Sequence, residues 1–364
     1  MTVGTGRWLT RDDLGAAAGS AAGLLLVSPD AASAFPLGPR DRSDAAGLAA
    51  AALRAAGVGE HDRVAVALAE PAGALWAAAA AEVAQAAADL GPRGRMRLHH
   101  ALTALRATTL VATPTGAMDL LARLHLEFLL DPLDLGLTTI VLTGEIASKR
   151  TMAHLAGEFA ARVTEVYASP FGGTPLAWRA AEEDPLTPLA DGLLGLARLA
   201  KDAPAGPGAP LAELVVTPRG HATLGDAVLR TGQVARAGER AGGELPAPAH
   251  TVGDHVLVRG VWLALPRVER ALAKIDGVAG WELTISRPGT LDTAVLTVTF
   301  GRESLIGNPM WRARVQEAVR ALTPVSIGVE IAPRPAGAAG PRPGPGRVTD
   351  LRGHHLGRDR ALVS

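Results

Sequence analysis

The sequence predicts an α/β layered domain on a mostly parallel sheet, followed by a small two-layer α+β module. Three observations carry this prediction. Short apolar runs alternate with helical runs from Leu24 to Ala168, the pattern of strand–helix–strand units. From Leu211 the texture turns more β, with "LAELVVTP" and "DAVLRTG" set apart by turn residues. The last third then reads β-α-β-β-α-β, the order of a compact two-layer module.

Each element has a local reason. In "LTRDDLGAAAG" Thr10 stands where a helix cap belongs, with Asp12 and Asp13 in the first turn. "GLLLVSP" is a short strand and "AASAFPLGPRDRS" a loop. "SDAAGLAAAALRAAG" is a helix capped by Ser43 or Asp44 and ended by Gly57. "DRVAVAL" is a strand, "ALWAAAAAEVAQAAADL" a helix, and "GPRGR" breaks it. Then follow the helix "LHHALTALRA", the strand "TTLVATP", the helix "GAMDLLARLHLEFLL" and the strand "LTTIVLTGE". The helix "SKRTMAHLAGEFAAR" and the strand "VTEVYA" complete the alternation. In the final module "HVLVRG" is a strand, "LPRVERALAKI" a helix, and "WELTISRPG" with "LDTAVLTVTFG" a hairpin. "NPMWRARVQEAVRAL" is a helix and "SIGVEIAP" a strand. These changes divide the chain into an N-terminal domain over residues 1–250, a module over 251–335, and a Pro/Gly linker with a tail over 336–364.

Composition narrows the function. A chain of 364 residues that is 48% hydrophobic can bury a core; with only 3% aromatics, that core packs from Ala, Leu and Val. The 36 basic and 36 acidic residues cancel, so no large field draws nucleic acid or an anionic membrane. The absence of cysteine excludes disulfides, thiolate metal sites, iron–sulfur clusters and a cysteine nucleophile. "MTVGTGRWLTRDDLG" lacks the basic-then-apolar order of a signal peptide. The most apolar run, "EPAGALWAAAAAEVAQAAADL", is interrupted by Glu82 and Gln85 and reads as a buried helix rather than a membrane span. The cytoplasm is the expected location.

An ordered set of motifs resembles a known family. "HVLVRGVWLALPRVERALAKIDGVAGWELTISRPGTLDTAVLTV" is similar to the C-terminal lid of phenylacetate–coenzyme A ligases, whose pattern is a strand, "RGVNVFPSQIE", and a hairpin with "R.G.LD". Arg259, Gly260, Val261 and Glu269 match it, as do Arg287, Gly289, Leu291 and Asp292. "ELVVTP" followed by "LRTG" resembles the family's "GELVLT…RYRTGD". "ATTLVATPTGAMDLL", "LTGEIASKR", "GVGEHDRVAV" and "RVTDLR" resemble further family segments in the same order. The resemblance implies the adenylate-forming fold, a large N-terminal layered α/β domain with a small C-terminal α+β lid. It also implies a two-step reaction: a carboxylate attacks ATP to give an acyl-adenylate and pyrophosphate, and coenzyme A then displaces AMP. The first step needs Mg²⁺, donors that cradle phosphate and a cation.

At five places the residues depart from what that reaction implies. The family phosphate loop "SSGTTGKP" corresponds to "VSPDAASAFP", Val27 to Pro36, which has neither Gly nor Thr, carries Asp30, and loses a backbone donor at Pro29. The family turn Tyr-Gly-x-Thr/Ser-Glu, whose carboxylate binds Mg²⁺, corresponds to Tyr167, Ala168, Ser169, Pro170 and Phe171. The ribose-binding Asp of "RTGD" is Gln233 here, while Arg230 is kept; an amide is the weaker acceptor. Of the hinge Arg and its two acids only Asp254 remains. The catalytic lysine falls in "RPGPGRV", which has no Lys; Gly344 is the nearest match, with Arg342 and Arg347 beside it.

Other residues carry two readings each. Glu145 is a strand-end acid facing the cleft, or an acid at a helix start. Tyr167 lines the cleft as its family counterpart does beside adenine, or packs. His99 and His100 are adjacent on a helix and face different ways, which favours a structural role over metal binding. His354 and His355 read as part of a solvated tail, and Glu182, Glu183 and Asp184 as a solvated loop. Trp76, Trp178 and Trp262 pack a core or line an apolar pocket; Trp262 replaces the Asn of "RGVN". The cleft candidates are therefore Glu145, Tyr167, Ser169, Phe171, Arg230, Gln233, Asp254, Arg259 and Trp262, with no metal ligand among them.

Three functions follow as expectations. The first is a divergent, ATP-independent member of the fold that keeps a cleft for an acyl or aryl acid or its thioester, as a binding or partner subunit or for repurposed chemistry such as hydrolysis. The second is a working acyl- or aryl-CoA ligase with substitute residues; ATP, Mg²⁺ and coenzyme A are cofactors only under this reading. The third is a scaffold that pairs with a true ligase. A protein partner or homodimer is left open, and neither nucleic acid nor membrane is an expected partner.

Overall fold

A computed structural model describes residues 6–92, 94–206, 209–236, 244–302, 309–333 and 346–363. They form two units, one of residues 6–28 and 32–249, the other of residues 29–31 and 250–363. The first unit begins β1 (Trp8–Leu9), α1 (Leu14–Ala18), β2 (Leu24–Val27), β3 (Ala34–Leu37), α2 (Pro39–Ala55), β4 (Arg63–Ala67), α3 (Ala72–Val83) and β5 (Ala86–Asp89). It continues α4 (Arg95–Leu105), β6 (Thr109–Ala112), α5 (Pro114–Arg123), β7 (Thr139–Thr143), α6 (Thr151–Phe159), β8 (Arg162–Ala168), β9 (Pro175–Arg179) and β10 (Thr187–Pro188). β11 (Leu194–Ala197), β12 (Leu211–Val216), β13 (Val228–Arg236) and the linking strand β14 (Pro248–Thr251) follow. The second unit holds β15 (His255–Val258), β16 (Val261–Ala264), α7 (Leu265–Leu272), β17 (Val278–Ser286), β18 (Thr293–Phe300), α8 (Pro309–Arg320), β19 (Ile327–Pro333) and β20 (Arg347–Asp350).

The seven-stranded sheet runs β10-β9-β8-β7-β6-β4-β5. The five strands from β8 to β5 are parallel, and β9 and β10 are added antiparallel. Helices cover both faces, so the central strands read as unbroken apolar runs. Leu110, Ile140 and Leu142 point to one face with Leu120, Leu155 and Phe159. Val66, Val111, Val141 and Val166 point to the other with Leu53, Trp76 and Ala79. In chain order the parallel strands stand 2-1-3-4-5. The order reverses between β4 and β6, and ligands of such sheets bind outside the carboxyl ends of the strands at that point. A second sheet runs β1-β13-β12-β11, with β14 paired to β13, and β2 and β3 form a separate hairpin.

Several local expectations are corrected. α1 starts after Asp13, not at Thr10, because the Thr10 amide and hydroxyl both donate to Asp13 Oδ2 at 2.7 Å and hold a turn there. Part of the expected loop "AASAFPLGPRDRS" is strand β3. α2 begins at Pro39 with Gly38 as N-cap rather than at Ser43 or Asp44; Pro suits the first helical position, and Asp41 Oδ2 takes the Gly38 N–H at 2.7 Å. The Ala-rich helix stops at Val83 and "AAAD" becomes β5, since pairing with β4 from Arg63↔Ala86 to Val66↔Asp89 overrides the helix preference of Ala.

In the second unit the four-stranded sheet has the order β19-β18-β17-β20. The expected first strand, "HVLVRG", is not in it. Among the described residues it pairs only with β16, through a two-residue turn in which Arg259 and Gly260 have φ of 51° and 74°, the geometry that suits the twist of a hairpin. The sheet takes its edge strand from the tail instead: β20 lies parallel to β17, from Glu282↔Arg347 to Ile285↔Asp350. α7 and α8 cover one face, with Val268, Leu272, Val315 and Val319 packed on Leu283, Leu296, Val298 and Phe300.

The tail histidines are thereby half-buried rather than solvated. Burial, ahead of the nearby Arg352, brings His354 down to about 4, and burial also brings His355 down to about 4. The unfolded chain therefore binds protons that the folded unit refuses as pH falls from about 6.5 to about 4. The stability these two groups contribute is complete above that range and is lost through it. Denaturant midpoints of the second unit should fall between pH 7 and pH 5, and a His354→Gln, His355→Gln variant should flatten that profile.

Candidate functional site

The site is built at the carboxyl edge of the parallel strands, on the turn from Ser169 to Thr174 that follows β8. The turn closes on itself. Ser169 N–H donates to the Thr174 carbonyl at 2.7 Å and Gly173 N–H to the Ser169 carbonyl at 2.9 Å. Phe171 N–H reaches Ser169 Oγ at 3.4 Å. Trp76 Nε1 donates to the Gly173 carbonyl at 3.2 Å, which ties the turn to α3. Gly173 has φ +75°, and a Cβ there would lie 2.5 Å from that of Ala72, so only glycine lets the turn sit so close to the helix.

Phe171 points into an aromatic ladder, not into solvent. Its ring stacks on Phe35 with centroids 6.1 Å apart, and Phe35 meets His221 edge-on at 5.4 Å. The Arg11 guanidinium lies over the Phe171 ring, 5.0 Å from its centroid, and donates to the Pro170 carbonyl at 3.1 Å. His221 Nδ1 accepts the Thr223 and Leu224 amides, each at 3.2 Å, so its proton is on Nε2. Burial lowers its pKa against the pull of Asp41. Asp41 takes the Gly38 amide on Oδ2 and the Ala222 amide on Oδ1, joining the start of α2 to the turn that carries His221.

Of the other candidates of this unit, Tyr167, Arg230 and Gln233 are buried and Glu145 is half-buried. Tyr167 is in the core with Phe171, Leu176 and Leu214; burial pushes its phenol up, against the hydroxyl of Thr231 beside it. Arg230 is committed to Glu213 at 2.5 Å and Asp202 at 2.9 Å, donates to the carbonyls of Arg198 and Lys201, and stacks 5.1 Å over Trp8. Gln233 is buried on the same strand, and its Oε1 has no hydrogen-bond partner among the described residues. Glu145 Oε2 accepts the amide and hydroxyl of Thr115 at 3.1 and 2.7 Å, so the carboxylate stands at the start of α5. In the β2–β3 loop, Ser28 Oγ accepts the amides of Ala32 and Ser33 at 3.1 and 3.0 Å. Those two backbone donors are turned inward.

In the second unit Trp262 is buried on β16. Arg259 donates from Nε to the Asp292 carbonyl at 2.6 Å. Asp254 pairs with Arg358 at 2.6 Å. Gly344 and Arg342 lie outside the described residues, and the Arg347 side chain is exposed. Glu182, expected in a solvated loop, instead accepts the Met152 amide at 2.7 Å and that of Arg150, and so holds the start of α6. His99 and His100 have ring centroids 5.8 Å apart. Among the described residues no group of three or more His, Asp or Glu side chains is placed to hold a metal ion, and no helix is long and apolar enough to cross a membrane.

The arrangement brings Tyr167, Ser169 and Phe171 together and adds Arg11, Phe35, His221 and Asp41, which no local pattern marks. Their partners lie 159 residues away for Arg11 and 181 for Asp41.

The fold is that of adenylate-forming enzymes. The chain superposes on 2-hydroxyisobutyryl-CoA ligase in complex with 2-HIB-AMP and CoA with a TM-score of 0.76 at 17% identity, over 94% of this chain and 80% of that one. It is similar to a malonyl-CoA ligase with methylmalonyl-CoA and AMP bound, with a TM-score of 0.61 at 16% identity over 87% and 71%. A third similar structure is the amide bond synthetase McbA from Marinactinospora thermotolerans, at 0.62 and 16% over 85% and 64%. No protein-family model and no curated protein matches the sequence.

Proposed function

We propose that this chain is a divergent, phenylacetate–CoA ligase-like protein that does not use ATP. It binds an acyl or aryl acid or its thioester, as a binding or partner subunit or for hydrolytic chemistry. The observation that carries this reading is the Arg11–Phe171–Phe35–His221 ladder. It fills the turn where the resembled family holds its Mg²⁺-binding carboxylate. The residues present do not fit a Mg²⁺–nucleotide. A phenyl ring offers a cation no ligand oxygen, the Ala32 and Ser33 amides are already taken by Ser28, and Gln233 brings no charge. The reading places the protein as a pseudoenzyme with respect to adenylation, located in the cytoplasm.

The second reading, an active acyl- or aryl-CoA ligase with substitute residues, is favoured by one observation: the similar structures are ligases with acyl-adenylate, AMP or CoA bound. Calorimetric titration separates the two. Under the first reading neither ATP with Mg²⁺ nor AMP gives heat, while a panel of aryl and acyl thioesters contains a binder. Micromolar ATP binding, followed by pyrophosphate release with a carboxylic acid, would establish the second. A Phe171→Glu, Gln233→Asp variant is expected to release no pyrophosphate above the unsubstituted chain, because the loop amides and the lysine are still lacking. Turnover in that variant would show that the remaining losses are not limiting.

A further inference from the structure

The chain passes from the first unit to the second at residues 249 and 250, and the next few residues are held by the tail. Thr251 N–H donates to the His354 carbonyl at 2.6 Å, Leu356 N–H to the Thr251 carbonyl at 2.9 Å, and Gly253 N–H to the Gly357 carbonyl at 2.9 Å. Thr251 and His355 form a parallel bridge, and Thr251 Oγ1 lies 3.1 Å from His355 Nδ1. His250 Nδ1 is 2.9 Å from the Gly353 carbonyl. Gly253 has φ +94°, and a Cβ there would meet the Arg360 guanidinium at 3.0 Å. Beyond the paired backbone, Arg358 bonds Asp254 at 2.6 Å and Glu269 of α7 at 2.5 Å. The root of the tail is fixed separately. Arg352 is buried against Asp350 and Asp292 and donates to the Leu257 carbonyl at 2.9 Å.

We propose that residues 353–360 are a strap that zips onto residues 250–254 and fixes the start of the second unit, with Arg358 as its latch. A short backbone segment with only loop neighbours frays; one paired on a second segment exchanges its amides at the rate at which that pairing opens. The latch is the weak part. The side chains of Asp254 and Glu269 are 46% and 30% exposed and that of Arg358 26%, so salt and competing anions reach it. The strap is thus built to open locally while β17 and β18 stay paired.

Amide hydrogen exchange on the full chain tests this. In the intact protein Thr251 and Gly253 should be protected. A chain ending at Arg352, which keeps β20 and the Arg352 pairs, should exchange both at least about tenfold faster with β17 and β18 unchanged, as expected when local pairing is lost. Arg358→Ala should speed the same two amides about two- to fivefold, the effect of a partly exposed ion pair, and high salt should reproduce it. If Thr251 and Gly253 exchange like free amides in the intact chain, or are unaffected by both changes, the strap does not exist. If the shortened chain also loses protection in β17 and β18, the Arg358→Ala contrast decides.

Discussion

Asp292→Ala is expected to lower the stability of the second unit by about 3–5 kcal/mol, the cost of removing one partner from a buried ionic network. Asp292 is 2% exposed and gathers three parts of the unit. Arg287 binds Oδ1 at 2.7 Å, while Arg352 and the Arg259 amide bind Oδ2. Its own carbonyl accepts Arg259 Nε. The β15–β16 turn, the loop after β17 and the tail are thus pinned to one carboxylate. Without it Arg352, whose side chain is 5% exposed, keeps Asp350 and the Leu257 carbonyl, and Arg287 loses the carboxylate 2.7 Å from its Nε. Asp292→Asn preserves the shape and some hydrogen bonding and should cost less. Urea unfolding followed by tryptophan fluorescence reads the effect through Trp281 and Trp311 of the same unit. A loss below about 1 kcal/mol, the level of a surface ion pair, would show that the network is solvated in solution. Arg259, Arg287 and Asp292 belong to the motif that resembles the ligase lid. In this chain the three residues wire two hairpins together.

Glu213→Ala should have an effect of similar size on the first unit. The Glu213 side chain is fully buried, and its carboxylate holds Arg230 on one oxygen and the Gly232 amide on the other, at 2.5 and 2.8 Å. Removing it leaves a buried guanidinium with Asp202, a carboxylate 62% exposed, and a stranded N–H. The expected loss is about 3–5 kcal/mol, or a melting temperature lower by roughly 6–20 °C for a unit of this size. Arg230→Met alone should be as harmful, because it takes the guanidinium away from a carboxylate that is fully buried. The double change Glu213→Leu, Arg230→Met should be milder than either single one, since apolar groups of similar volume can replace a buried pair. Additive losses in the double variant would mean that the two residues do not act together.

Much of this architecture is legible in the sequence. The strands β6 and β7 are continuous runs of apolar and β-branched residues between helical repeats, and a run of five such residues, as in "TIVLT", has one reading in that setting. What escapes is decided by distant pairing. "AAAD" has the composition of a helix, and only its place beside β4 makes it a strand. "RVTD" has four unremarkable residues, and only register with Glu282 to Ile285 makes it the edge of a sheet. The same holds at the site. Tyr167 to Phe171 is legible as a strand-to-turn junction, and the apolar tip of that turn is legible from Phe171 alone. The ladder that completes it depends on Arg11, Phe35 and His221, whose own neighbours show no pattern. His354 and His355 looked solvated because a short polar tail usually is; their partial burial follows from β20 and the paired segment after it.

That pairing of the tail has a consequence for the integrity of the chain. Residues 346–363 reach the second unit through sheet bonds to β17, the Asp292 carboxylate and the latch on Glu269, and through the covalent link across residues 334–345. The first three do not need the fourth. A chain cleaved between Pro333 and Gly346 would leave two fragments that still recognise each other, and a peptide of the last segment would be a specific ligand for a chain that lacks it. The second unit is in this sense a receptor for its own end, and a split version of the protein could be assembled at will by supplying the missing piece.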